Sequence, residues 1–182
     1  MNSIARFLFC KIWGWKIEGI PLTVPKFVIA VVPHTSNWDF IVGLLLRPAS
    51  NLNHCVYIGK SSLFVFPLGY IFRALGGMPV ERTKSNNFVK SVAAIYPKYE
   101  KFGICISPEG TRKKVDKFRT GFYYVAKEAN VPIILCKFDW AVKTVSYAEP
   151  FYVTDNVEAD MKYIVGHFIG VQGKNYVFEM KL

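Results

Sequence analysis

The sequence predicts an α/β fold: one domain with a largely parallel central sheet flanked by helices, plus an N-terminal helix at a membrane interface. Two observations carry this reading. Short β-branched apolar runs alternate with stretches of helical spacing, the pattern of strand–helix–strand units. The 182 residues suit a single core, and the chain shows no linker, internal repeat or low-complexity tract.

The elements follow in order. Residues 26–32 (KFVIAVV) are a continuous apolar run ended by Pro33, which reads as a buried strand. Ser36 or Asn37 can cap a helix through residues 38–47, with Asp39 in its first turn, where the helix dipole favours an acid. Residues 54–58 form a second strand. Ser61 or Ser62 opens a helical stretch to about Leu75, closed by Gly76-Gly77. Residues 78–81 are a short strand, and residues 86–102 have helical spacing, with Pro97 marking a kink or an early end. Residues 103–107 are a strand, 120–129 a helix, 133–137 a strand, 144–152 another strand and 158–170 a final helix. The domain therefore spans 1–182, with an interfacial helix at 1–15, a central part at 26–134 and a strand-and-helix completion at 137–182.

The chain carries 23 Lys+Arg against 13 Asp+Glu, a net charge of +10, yet it is 52% hydrophobic, with a mean hydropathy of +0.22. Disorder is excluded, because disordered chains combine high charge with low hydrophobicity. Nucleic acid is the usual partner of a basic protein, but an anionic membrane surface accounts for charge and hydropathy together. The charge is uneven: residues 1–136 hold 18 basic and 7 acidic residues, and residues 137–182 hold 5 and 6. The densest run is Arg112, Lys113, Lys114, Lys117 and Arg119.

No segment has the roughly 18 uninterrupted apolar residues of a membrane span. Residues 63–72 come nearest, but Pro67 and Gly69 interrupt them. Residues 3–15 would make a helix of roughly 20 Å, too short for a bilayer core of about 30 Å. They lack a small-residue cleavage site, so no signal peptide is expected. Helical spacing puts Ile4, Leu8, Ile12 and Trp15 on one face, which suits an interfacial helix; packing on the domain's own core is the alternative. The four cysteines lie far apart without a C-x-x-C pair, so neither a disulfide scaffold nor a zinc site is expected.

Two loops at strand ends could carry chemistry. His34 follows the first strand, and Asp39 lies five residues on in the next helix's first turn. A carboxylate on one imidazole nitrogen fixes the tautomer and raises basicity at the other, as a general base requires. Ser107-Pro108-Glu109-Gly110-Thr111-Arg112 follows the 103–107 strand; its arginine offers a planar fork for phosphate. Ligands of open α/β sheets bind beyond the carboxyl ends of strands, where both loops sit. A third stretch, from Gly77 to Arg82, delivers another arginine, and Val131-Pro132-Ile133 is a fourth. A nucleophilic Cys55 served by His54 is rejected, because adjacent strand residues point to opposite faces.

Taken together, H-x-x-x-x-D, the glycine-to-arginine block, P-E-G-T-R and V-P-I resemble the four blocks of the glycerolipid acyltransferases, typified by 1-acylglycerol-3-phosphate acyltransferases. The resemblance runs from about Lys16 to Ile134. Leu135 stands where a second proline is usual, and Ser107 where a Phe is common; both departures are expected to affect the shape of an acyl channel. The resemblance implies acyl transfer from coenzyme A or acyl carrier protein to a glycerolipid hydroxyl in phospholipid biosynthesis. His34 is then the base, Asp39 its orienter, and no acyl-enzyme forms. Arg82, Glu109, Gly110, Thr111 and Arg112 would hold a lysophospholipid acceptor. No metal and no cofactor beyond the acyl co-substrate is implied. A peripheral or monotopic place on the cytoplasmic face of a membrane follows. Alternatives are another acceptor, such as a lyso-aminolipid or glycerol 3-phosphate, and a non-catalytic lipid-binding module.

Overall fold

The computed structural model describes residues 3–19, 24–80 and 85–181. Among them are seven strands and six α-helices in a single α/β domain. The strands are β1 (Lys16–Glu18), β2 (Lys26–Val32), β3 (Cys55–Lys60), β4 (Gly77–Val80), β5 (Phe102–Ile106), β6 (Ile133–Asp139) and β7 (Thr144–Tyr147). The helices are α1 (Ser3–Phe7), α2 (Asn37–Ala49), α3 (Leu68–Ala74), α4 (Ser85–Ala93), α5 (Gly121–Ala129) and α6 (Val157–Phe168). The sheet order is β1-β7-β6-β2-β5-β3-β4. The five strands from β6 to β4 are parallel; β7 pairs antiparallel with β6, and β1 runs parallel to β7.

The apolar run of β2 is buried on both faces, as a central parallel strand should be. Val28, Ala30 and Val32 pack toward Phe122, Ala126, Ile164 and Phe168 of α5 and α6. Phe27, Ile29 and Val31 pack toward Val42 and Leu46 of α2 and toward the N-terminal segment. Tyr57 and Gly59 share that second face. Phe40 meets the Tyr57 ring edge-on, and a Cβ on Gly59 would strike Phe64 at 2.6 Å. The turn that leads into α3 therefore lies beside α2 on the same side of the sheet.

Several expected elements are shortened or split, each for a local reason. The stretch 61–75 becomes a 3-10 turn at Ser61–Phe64 and then α3, because Pro67 interrupts the helix. The stretch 86–102 ends as α4 at Ala93, followed by a 3-10 turn around Pro97, and Phe102 already belongs to β5. β7 stops at Tyr147, although Phe151 still bridges Ile133. The three-residue edge strand β1 was too short and too polar to be read from periodicity.

At the N-terminus, α1 continues into a π-type turn at Leu8–Ile12, and Gly14 with φ +71° takes the chain out of the helix. Trp15 is therefore not on the Ile4–Leu8–Ile12 face; it is buried with Ala5 and Phe9 against α2. Ile4, Phe7, Leu8 and Ile12 stay exposed. No described helix is long and apolar enough to cross a membrane.

Candidate active site

The parallel neighbours β6, β2 and β5 end at the same edge of the sheet, and the loop after each contributes to one cluster. His34 follows β2. Its Nδ1 lies 3.2 Å from Asp39 Oδ2, and Asp39 is almost fully buried. Ser36 is the N-cap of α2: its hydroxyl accepts from Trp38 N–H while Asp39, at the third helical position, reaches back to the cap backbone. Asp39 Oδ2 accepts N–H from Thr35 at 2.7 Å and from Ser36 at 2.8 Å, and Oδ1 accepts the Trp140 indole N–H at 2.8 Å. The capping box thus aims the carboxylate at the histidine.

The loop after β5 closes the other side. Its Glu109 is buried, and Oε2 accepts the His34 backbone N–H at 2.6 Å. Burial pushes the Glu109 carboxyl up to about 7, against the lowering effect of that hydrogen bond. Among the described residues no donor reaches its Oε1. Burial, followed by the charges of Glu109 and Asp39, raises the Tyr176 phenol to about 12.

Gly110 adopts φ +63°, and a Cβ there would meet the Arg119 side chain at 2.7 Å. The positive φ is what favours glycine here, since the long Arg119 side chain could swing aside. Thr111 and Arg112 stand at the cavity mouth with Gly110, and the Arg112 guanidinium donates to Asn37 Oδ1. Of the basic run, Lys114 is tied to Glu179 at 3.4 Å and lies over the Tyr176 ring.

The cluster opens into a cavity of about 1300 Å³ between α2 and the sheet, larger than the roughly 300–1,000 Å³ of ordinary small-molecule pockets. His34, Asp39, Arg112 and Asn175 line its polar end. Ile29, Val31, Leu46, Leu52, Cys55, Cys136 and Phe138 line its apolar depth, and Leu63, Phe64 and Phe72 its flank beside α3. Ser107 is on this wall, but Leu135 is not. It is buried on the opposite face of the sheet, packed toward α5 and α6, so its departure from proline does not shape the channel.

The expected site residues thus converge: His34, Asp39, Gly110, Thr111 and Arg112 line one cavity, and Glu109 is buried behind it against the His34 backbone. Arg82 lies outside the described residues. Sequence reasoning missed Trp140, Asn175 and Tyr176. Trp140 could have been found, since it follows a strand of the same parallel sheet; the turn carrying Asn175 and Tyr176 has no motif. No group of three or more described His, Cys, Asp or Glu side chains could hold a metal ion. His54 instead meets the Phe27 ring edge-on.

A mostly parallel sheet with a His–Asp pair and an arginine beyond its strand ends, above an apolar cavity, suits transfer chemistry on an amphiphile. The sequence profile of the Acyltransferase family matches residues 18–138, about two-thirds of the chain. The protein belongs to this family, that of the PlsC-type glycerolipid acyltransferases, and is an O-acyltransferase. No curated protein and no solved structure matches the chain.

Proposed function

We propose that the protein moves a fatty acyl group from a thioester of coenzyme A or acyl carrier protein to the free hydroxyl of a lysophosphatidate-like glycerolipid, a step of phospholipid biosynthesis. The observation that supports this most is that the His34–Asp39 pair and the Arg112 fork line the same cavity as its many apolar side chains. His34 keeps Nδ1 toward Asp39, so its other ring nitrogen removes the acceptor's proton. The hydroxyl oxygen attacks the thioester carbonyl directly. The tetrahedral intermediate expels the thiolate as the C–S bond breaks, and the imidazolium returns the proton to sulfur. No acyl-enzyme and no cofactor beyond the thioester is needed.

Arg112, with Gly110 and Thr111, holds the acceptor phosphate, and Arg82 is proposed to join them. Glu109 holds the His34 backbone and the base of this loop. The backbone N–H groups of His34, Thr35, Ser36 and Gly110 are already spent on Glu109, Asp39 and Ser107. They are therefore not the donors that stabilise the oxyanion.

The test is release of free thiol from acyl-coenzyme A or acyl carrier protein, with lysophosphatidate, glycerol 3-phosphate or a lyso-aminolipid as acceptor. Acceptor-dependent release, lowered about 10²–10⁴-fold by His34→Ala, is expected. No release with any pair would favour a lipid-binding module instead.

The same reading places the protein on the cytoplasmic face of an anionic membrane. Two exposed apolar patches support this, on the face of the sheet that carries the cavity. One is Ile4, Phe7, Leu8 and Ile12; the other is Leu63, Val65, Phe66, Leu68, Tyr70 and Ile71 beside the cavity flank, with Phe66 83% exposed. A fully buried apolar side chain contributes roughly 1.5–3 kcal/mol. Val65→Ser with Phe66→Ser should therefore lower flotation with anionic vesicles at least tenfold. Unchanged flotation would remove this patch from the membrane surface.

A further inference from the structure

We propose that Trp140, held in place by the turn at residues 171–178, is a positioning residue for the His34–Asp39 pair. The proposal rests on the reading of His34 as base. It concerns a part of the chain beyond residues 18–138, so the family match says nothing about it.

The topology brings Trp140 to the site. Strand β6 runs parallel to β2 with Val32 paired to Lys137, so the residues that follow β6 lie over the loop that follows β2. There the Trp140 indole N–H donates to Asp39 Oδ1, while Oδ2 faces His34, Thr35 and Ser36. A carboxylate with donors on one oxygen alone can twist about its Cβ–Cγ bond. With a donor on each oxygen, twisting breaks a hydrogen bond, so the plane facing the imidazole is set.

The indole is itself fixed. Trp15 meets it edge-on at 5.0 Å, the Trp140 backbone N–H donates to Gln172 O at 2.8 Å, and the Lys174 ammonium sits 4.6 Å from the Trp140 ring and 4.7 Å from that of Trp38. The same turn holds the loop of the base. Asn175 donates its backbone N–H to Thr35 Oγ1 at 3.2 Å and its amide to Thr35 O at 2.6 Å. Gly173 lies so close that a Cβ would be 2.5 Å from Thr35 Cγ2. Thr35 in turn donates to Asp39. The turn therefore reaches the carboxylate by two routes, through Trp140 to one oxygen and through Thr35 to the other.

The experiment compares Trp140→Phe, Asn175→Ala and His34→Ala by steady-state kinetics, thermal melting and ¹⁵N NMR of the histidine side chains. His34 signals are assigned by their loss in His34→Ala. Trp140→Phe removes the N–H and keeps a ring. It should lower kcat about tenfold or more, because small misplacements of a catalytic group are costly, with both KM values within twofold of wild type. The His34 signals should move from a single-tautomer pattern toward an averaged one. Should Trp140→Phe fail to fold, Asn175→Ala is expected to show the same split between kcat and KM. Wild-type kcat and unchanged His34 signals in a folded variant would reduce Trp140 to a packing residue and overturn the proposal. An active His34→Ala would instead overturn the base itself, whatever Trp140 does; the NMR readout needs no turnover and keeps the two failures apart.

Discussion

Replacing Asp39 by Asn should damage the protein twice, and the two losses can be measured separately. The carboxylate accepts from three N–H groups and faces His34 Nδ1, sharing these four between two oxygens. An amide has one oxygen. If it takes the Oδ2 position, its NH₂ confronts the Trp140 indole N–H; if it takes the Oδ1 position, it confronts the other three. The first arrangement leaves the part-buried indole N–H and the amide N–H facing it without an acceptor, at a combined cost of about 1–3 kcal/mol, and the surviving bonds lose their charge assistance. For a chain of this size 1 kcal/mol corresponds to roughly 2–4 °C in Tm, so Tm should fall by about 2–12 °C. Turnover should fall about 10²–10⁴-fold, since no charge then stabilises the imidazolium. His34→Ala should lose as much activity, but the part-exposed imidazole contributes only one donor to this web, so its Tm should stay within about 2 °C of wild type. Scanning calorimetry and the thiol-release assay give both numbers. Equal Tm for the two variants would refute the hydrogen-bond argument, and Asp39→Asn with over a tenth of wild-type kcat would refute the orienting role.

Two further outcomes follow from the pocket. Burial raises Glu109 to about 7 from 4.5, so the folded state binds its proton more tightly than the unfolded chain. This group's contribution is full below about pH 4.5 and is lost as pH rises toward 7, by roughly 3 kcal/mol. Glu109→Gln mimics the neutral acid, so between pH 5 and 8 its Tm should fall less than that of wild type; parallel curves would place the carboxyl in a more polar setting. Gly43 lines the cavity from the middle of α2, and nothing lies within 4 Å of a Cβ built there. Gly43→Leu should therefore raise helix stability by up to about 1 kcal/mol while shifting the preference among C8–C18 acyl thioesters toward shorter chains; an unchanged preference would put the acyl chain elsewhere.

Much of this protein is local and so legible in the sequence. The β2 run and a cap at Ser36 or Asn37 with Asp39 in the first turn could be read from near neighbours, because helix caps involve only a few consecutive residues; that Ser36 is the cap and that Gly110 has a positive φ came from the structure. His34 and Asp39, five positions apart, meet for the same reason. The strand-end rule then correctly placed both motif loops at one edge of the sheet. Boundaries were less legible: residues 94–101 keep a helical apolar spacing, yet the helix ends at Ala93, four residues before Pro97, whose ring would clash with the Ala93 carbonyl in a continuing helix.

Only the tertiary structure decided which distant residues complete the site. Which strands flank β2 depends on the winding of the whole chain, and that choice sets Glu109 on one side of His34 and Trp140 on the other. The turn from Gly173 to Tyr176 carries no periodicity, since its residues act through contacts with the distant Thr35, Trp38 and Trp140. Leu135 illustrates the same limit: its identity was visible as a departure from proline, but only the register of β6 showed that it faces away from the cavity. The chemistry-bearing residues are thus written locally, while their alignment belongs to contacts more than a hundred residues apart in the chain.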